Sequence, residues 1–184
     1  MSKSIKIKVI GVGRNTISLI EQTEKIVKKE DYDQVWCVFD HDPKPDIPIQ
    51  SQNFNNAIQK AKSLGYKVAY SNQAFEYWLI LHFKDEQGTP MSRAHYYDEI
   101  NKYINLSDDK YENNKKISKE MFIRLQEIDE NTQKTRQNLA IQRAKRIMKY
   151  WEEIDIEHSN PAKEESSTTV YQLVEELLSY ARTK

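Results

Sequence analysis

Two aspartates separated by one residue, Asp40-His41-Asp42, follow the apolar run Val35-Trp36-Cys37-Val38-Phe39. Residues i and i+2 of an extended chain point to the same side, so the two carboxylates are expected to converge. Hard oxygen donors of this kind suit Mg²⁺ or Mn²⁺, and two neighbouring acids repel each other unless a cation lies between them. A D-x-D is also ordinary turn chemistry ahead of prolines, and Pro43, Pro45 and Pro48 follow here. Position favours the metal: the apolar run is the pattern of a strand covered on both faces, and open α/β sheets bind ligands at the carboxyl ends of their strands. Asp40 and Asp42 are therefore the expected metal ligands and catalytic acids.

Glu76 is the third candidate acid. It lies in the first turn of the helix expected after Asn72, which reads as its N-cap, and so at the same edge of the sheet. It serves either as a further metal ligand or as an acid satisfying the helix dipole. His82, inside the apolar run LILHF, reads as a hydrogen-bonded core histidine before it reads as a base, and His41 is expected to point away from the two aspartates. Gly11-x-Gly13 lacks both the third glycine of a dinucleotide fingerprint and the Lys-Ser/Thr of a P-loop, which leaves a phosphate cradle without support. Cys37, the single cysteine, excludes an internal disulfide and a multi-thiolate zinc site, and is expected to be an inert core thiol.

Lys and Arg total 28, as do Asp and Glu, so any site for a polyanion must be local rather than a property of the whole molecule. Residues 132–150 supply one: Lys134, Arg136, Arg143 and Arg146, with Lys145 and Lys149, occur there without an acidic residue. Leu139, Ala140, Ala144, Ile147 and Met148 recur at helical spacing in the same segment, so it is expected to be an amphipathic helix. Its basic face is either solvated and balanced by acids in space, or a contact for a nucleic-acid backbone.

The elements that must position these groups follow from periodicity. Residues 5–10 alternate as a short strand, the turn Gly11-Val12-Gly13 follows, and Ile17, Ile20, Ile26 and Val27 mark a helix capped by Asn15 or Thr16. Residues 34–40 form the central strand, and residues 42–52 a proline-stiffened loop. Phe54, Ala57, Ile58, Ala61 and Leu64 make one face of a second helix that Gly65 ends, and residues 66–70 form a third strand. Strand and helix in alternation imply a parallel sheet with right-handed crossovers. The run from Ala74 to Phe83 is too apolar for a surface helix and is expected to pack on the sheet. Beyond a boundary near Gly88 and Pro90 the chain becomes polar and helical, with a hydrophilic stretch over residues 101–119 and helices over residues 120–130, 134–153 and 169–182. The expected fold is thus an α/β core over residues 1–87 with a helical C-terminal region over residues 88–184. No apolar run approaches a membrane span and no signal-peptide core opens the sequence, so a soluble, cytoplasmic protein is expected.

The D-x-D, the segment SNQAFEYWLILHF and the tail NPAK…SSTTVYQLVEEL occur in an order and spacing that resemble the RloB-like (AbiLii-like) family. The segments GVGRNTISLIEQ, DYDQVWCVFDHD, FNNAIQKAK and TRQNLAIQRAK extend the likeness over nearly the whole chain from about residue 7. The resemblance implies a prokaryotic protein of abortive phage infection, often encoded beside an AAA-type ATPase, with a Toprim-like core. In such a core a glutamate after the first strand and a later D-x-D bind Mg²⁺ for phosphodiester chemistry. Asp40 and Asp42 match the D-x-D, whereas the glycine-glutamate segment is expected upstream of the first residue here. The implied function is a metal-dependent nuclease in which that glutamate's role falls to an upstream segment or to a substitute such as Glu76, or is lost together with catalysis. The alternative is a non-enzymatic subunit that docks an ATPase through the helical region. A haloacid-dehalogenase-like phosphatase, which also carries a D-x-D after a parallel strand, would have Thr or Val where Lys44 stands.

Overall fold

A computed structural model describes residues 5–13, 16–43, 47, 49–87, 91, 93–104, 111, 117–154 and 160–181. The expected Asn15 cap, Pro45 and Pro48 of the proline loop, the Gly88 and Pro90 boundary, most of the hydrophilic stretch and Arg182 lie outside the described residues.

The order of elements is α1 (Thr16–Val27), β1 (Trp36–Asp40), α2 (Ile49–Ser63), β2 (Lys67–Ser71), α3 (Glu76–Ile80), α4 (Arg93–Ile104), α5 (Lys119–Gln126), α6 (Arg136–Ile154) and α7 (Val170–Ala181), with a 3₁₀ turn at Pro161–Lys163. The fold is α/β: a small parallel sheet flanked by helices. β1 and β2 pair in parallel from Trp36 opposite Lys67 to Asp40 opposite Ser71. The crossover α2 obeys its apolar spacing, with Phe54, Ala57, Ile58 and Ala61 buried. It ends in a Schellman motif. The amide of Gly65 bonds the carbonyl of Lys62, that of Tyr66 bonds the carbonyl of Ala61, and Gly65 takes the left-handed φ of +77° that the motif requires.

The sheet separates two apolar clusters by strand alternation. Cys37, Phe39, Val68 and Tyr70 face α1 and α2, where Phe54 packs edge-on against both Phe39 and Tyr70. Ala69, with Trp36 partly buried beside it, faces the larger cluster built from α3, α4, α5 and α6: Tyr77, Tyr96, Ile100, Met121, Ala144 and Ile147 are wholly enclosed there. Cys37 is a buried free thiol whose ionisation burial makes harder, which agrees with an inert core cysteine.

Two expectations are corrected. Residues 5–10 form no strand; Ile7 and Val9 are 63% and 89% exposed, because an alternating sequence becomes a strand only with a neighbour to accept its hydrogen bonds. The central strand is also not covered on both faces, since Val38 is 44% exposed while Cys37 and Phe39 are buried. β1 has β2 on one side only among the described residues; on the face shared by Trp36, Val38 and Asp40, Trp36 packs against the larger cluster, Val38 is exposed and Asp40 is half-buried.

The C-terminal region returns to the sheet instead of remaining beside it. Thr168 makes an antiparallel bridge to Ser71, and the Thr169 amide donates to the Tyr70 carbonyl at 2.8 Å. The tail segment Ser166-Ser167-Thr168-Thr169 is thereby buried against β2 before α7 begins.

Candidate functional site

Asp40 is the last residue of β1, on the same face as Val38, and is half-buried. The ladder continues past it: the His41 amide donates to the Ser71 carbonyl at 3.0 Å and the Asp42 amide to the Gln73 carbonyl at 2.9 Å. Asp42 adopts a φ of 44° and Gln73 one of 76°, so both chains turn out of the extended form together at the carboxyl edge. The simple i, i+2 alternation therefore ends at Asp40, and the orientation of Asp42 is set by this left-handed turn.

His41 points away from Asp40, as expected, yet it is the most connected residue of the motif. Its ring is buried and stacks on Phe54 at 4.6 Å between centroids. Nδ1 lies 3.0 Å from Asn72 Oδ1 and Nε2 lies 3.2 Å from Ser51 Oγ. The Asn72 amide group donates through Nδ2 to the Pro161 carbonyl at 2.7 Å, which leaves its oxygen as the acceptor. His41 Nδ1 accordingly carries the proton, and Nε2 accepts from Ser51. Burial lowers the pKa of this ring, with the Asn72 contact opposing the effect.

Asn72 does not cap α3. The residue before that helix is Phe75 in helical conformation, and Asn72 is instead wholly enclosed, with its own amide bonded to the Ser167 carbonyl at 2.8 Å. Around it the tail supplies a dense polar lattice. Tyr70 donates its hydroxyl to Glu164, Ser71 Oγ and Thr168 Oγ1 are 2.9 Å apart, and Tyr96 and Ser166 hydroxyls are 3.2 Å apart. Asn55 of α2 closes the opposite side, donating to Asn160 Oδ1 at 2.7 Å and accepting from the Ala162 amide at 3.0 Å. In the sequence these groups carry no chemical signature, although Asn160-Pro161 and the Ser-Ser-Thr-Thr run stand out as motifs.

Glu76 opens α3 and is buried, accepting from the Tyr111 hydroxyl at 3.3 Å. Among the described residues no three His, Cys, Asp or Glu side chains are grouped to hold a metal ion. A cation at Asp40 and Asp42 would therefore complete its shell with water, backbone oxygen or substrate. That donor set fits Mg²⁺ or Mn²⁺, hard ions that are held by one or two carboxylates and keep several waters.

The basic segment is helical, as α6. Arg136 crosses the Phe83 ring at 5.0 Å and contacts Glu127 at 3.2 Å; Arg143 donates to the Leu81 carbonyl at 2.7 Å. Arg146 pairs with Asp85, and Lys134 donates to Gln142 at 3.2 Å. Arg136 and Arg143 thus fasten α6 to the end of the apolar run that contains α3, while the Arg146 side chain is 52% exposed.

The family described as RloB-like protein matches residues 2–177. The chain belongs to the RloB-like family. No curated protein and no solved structure shows significant similarity to it. No helix among the described residues is long and apolar enough to cross a membrane.

Proposed function

We propose that this RloB-like chain serves in phage defence as a metal-dependent nuclease acting on nucleic-acid phosphodiesters. One observation supports the reading: parallel strand β1 ends at the half-buried Asp40, and Asp42 follows in the turn at the same carboxyl edge. Asp40 and Asp42 would hold Mg²⁺ or Mn²⁺, which supplies positive charge against the charge that develops on a phosphoryl group. Glu76 is the acid-base candidate, and Lys134, Arg136, Arg143 and Arg146 are the candidate contacts to the phosphate backbone. The Toprim-like character of residues 1–87, a helical C-terminal region over residues 88–184 packing on that core, an AAA-type ATPase partner and a cytoplasmic location belong to the same proposal.

With Asp40 and Asp42 as metal ligands and Glu76 as the acid-base candidate, this chain is expected to cleave weakly, and Glu76→Gln to lower the rate further. General acid-base assistance is worth ~10² to 10⁴-fold, so the difference is one of rate and not merely of affinity. The test compares this chain, Asp40→Ala and Glu76→Gln on single- and double-stranded DNA and on RNA with Mn²⁺. Mn²⁺-dependent cleavage that Asp40→Ala abolishes supports the nuclease; indifference to Asp40→Ala rejects it.

The second reading, a subunit that docks an ATPase without chemistry, is favoured by the apolar surface at α5, where Phe122, Ile123 and Ile128 are each more than half exposed. It requires no Mg²⁺ or Mn²⁺ response at Asp40 and Asp42.

A further inference from the structure

The side-chain lattice around the D-x-D has a definite direction. Pro161 presents a carbonyl, Asn72 donates to it through Nδ2, His41 donates to Asn72 through Nδ1, and Ser51 donates to His41 Nε2. Each orientation is fixed by the one before it, since a carbonyl can only accept. Asn72 is also bonded through its backbone to Ser167. One enclosed asparagine therefore joins the turn carrying Asp40 and Asp42 to two points of the distant tail, the Asn160-Pro161 turn and the Ser-Ser-Thr-Thr run.

The alternatives for these groups are less economical. If Asn72 merely ended β2, a solvated side chain would suffice, as at most turns. Full enclosure of a polar side chain is costly unless its partners are met, and here they come from residues about ninety positions away. His41 is likewise held from both ring nitrogens and one ring face, which fixes the backbone between the two aspartates. The neighbouring amide of Asp42 is bonded across to Gln73, the residue that follows Asn72.

We propose that Asn72 and His41 are positioning residues through which the tail of residues 160–169 sets the turn that presents Asp40 and Asp42. The tail is thus part of the site although it contributes no metal ligand. This rests on the cation reading of the acidic pair for its functional consequence, and on the hydrogen-bond lattice alone for its mechanical one.

Two readouts on the full chain test it: hydrogen exchange at the amides of His41 and Asp42, and Mn²⁺ affinity from the electron paramagnetic resonance of the free ion. Asn72→Ala is expected to speed exchange at these two amides about tenfold or more, as loss of a buried hydrogen-bond partner does. It is expected to weaken Mn²⁺ binding by ~10- to 100-fold, the usual effect of losing a group that orients a metal ligand. His41→Gln, which can still donate toward Asn72, should keep more of both than His41→Ala. Ile58→Val, a buried change in the same cluster but outside the lattice, should move neither selectively. If Asn72→Ala does not fold, Ser51→Ala removes only the donor to Nε2 and carries the same comparison in weaker form. Exchange and affinity unchanged within about twofold in the folded lattice variant, or shifted equally by Ile58→Val, would overturn the proposal. A wild-type chain that binds no Mn²⁺ rejects the nuclease reading, and the exchange comparison then decides the positioning role by itself.

Discussion

The Tyr70 hydroxyl donates to the buried Glu164 carboxylate at 2.8 Å, so a strand of the sheet core and the tail share one hydrogen bond out of reach of water. Ser167 approaches the same carboxylate oxygen at 3.5 Å. Burial and the adjacent negative charge raise the Tyr70 pKa well above its ordinary value.

Removing that hydroxyl takes a donor from an enclosed carboxylate. Tyr70→Phe is expected to destabilise the fold by about 1–3 kcal/mol, and the double variant Tyr70→Phe with Glu164→Gln by less than the sum of the single changes. Urea unfolding of the four proteins measures the coupling. Additive effects would show that the contact contributes nothing beyond its parts.

The basic helix α6 separates into supporting and exposed charges. Arg143→Met keeps the apolar stem but leaves the Leu81 carbonyl without this donor, and should cost about 1–3 kcal/mol. Arg146→Met breaks only an exposed pair with Asp85 and should cost less than about 1 kcal/mol. If the helix also holds nucleic acid, Arg146→Met lowers the magnitude of the salt slope of binding by about 1 while leaving unfolding nearly untouched. An unchanged slope assigns Arg146 to a solvated face.

Stability should fall on mild acidification because of His82. Burial drives its pKa down to about 4 from 6.5, with Arg143 and Arg136 adding to the effect against the opposing backbone bonds. The unfolded chain then binds the additional proton between those values, so this contribution is complete above pH 6.5 and is lost as pH falls toward 4. It amounts to on the order of 3 kcal/mol. Burial lowers His41 as well, so it acts in the same direction. Chemical unfolding at pH 7 and pH 4.5 checks this expectation, with His82→Gln predicted to shrink the difference between them. A wild-type protein equally stable at both values would contradict it.

What could be read from the sequence was whatever has a local signature. The run ending at Asp40, the apolar face of α2, the stop at Gly65 and the amphipathic α6 each follow from spacing within one element, and the structure has all of them. Residues 5–10 have the same kind of signature but no strand, because pairing depends on a neighbour that alternation cannot supply. Asn72 reads as a helix cap since that is what asparagine does before an apolar helix; its actual partners at Pro161 and Ser167 leave no periodic trace. Arg143 likewise belongs to a basic stripe in sequence and to the Leu81 carbonyl in space. The Asn-Pro and Ser-Ser-Thr-Thr motifs were visible as words, and only the long-range hydrogen bonds gave them a place in the site.

Asp40 and Asp42 are proposed to hold a divalent cation together, and calorimetric titration with Mn²⁺ decides whether they do. The wild-type chain is predicted to bind one Mn²⁺ per molecule. Asp40→Ala and Asp42→Ala should each weaken that binding by at least the ~10- to 100-fold that loss of an outer-shell partner costs, while Asp85→Ala, at the far end of the α6 ion pair, leaves it unchanged. Binding that survives both substitutions at full strength, or no binding by the wild-type chain, would contradict it.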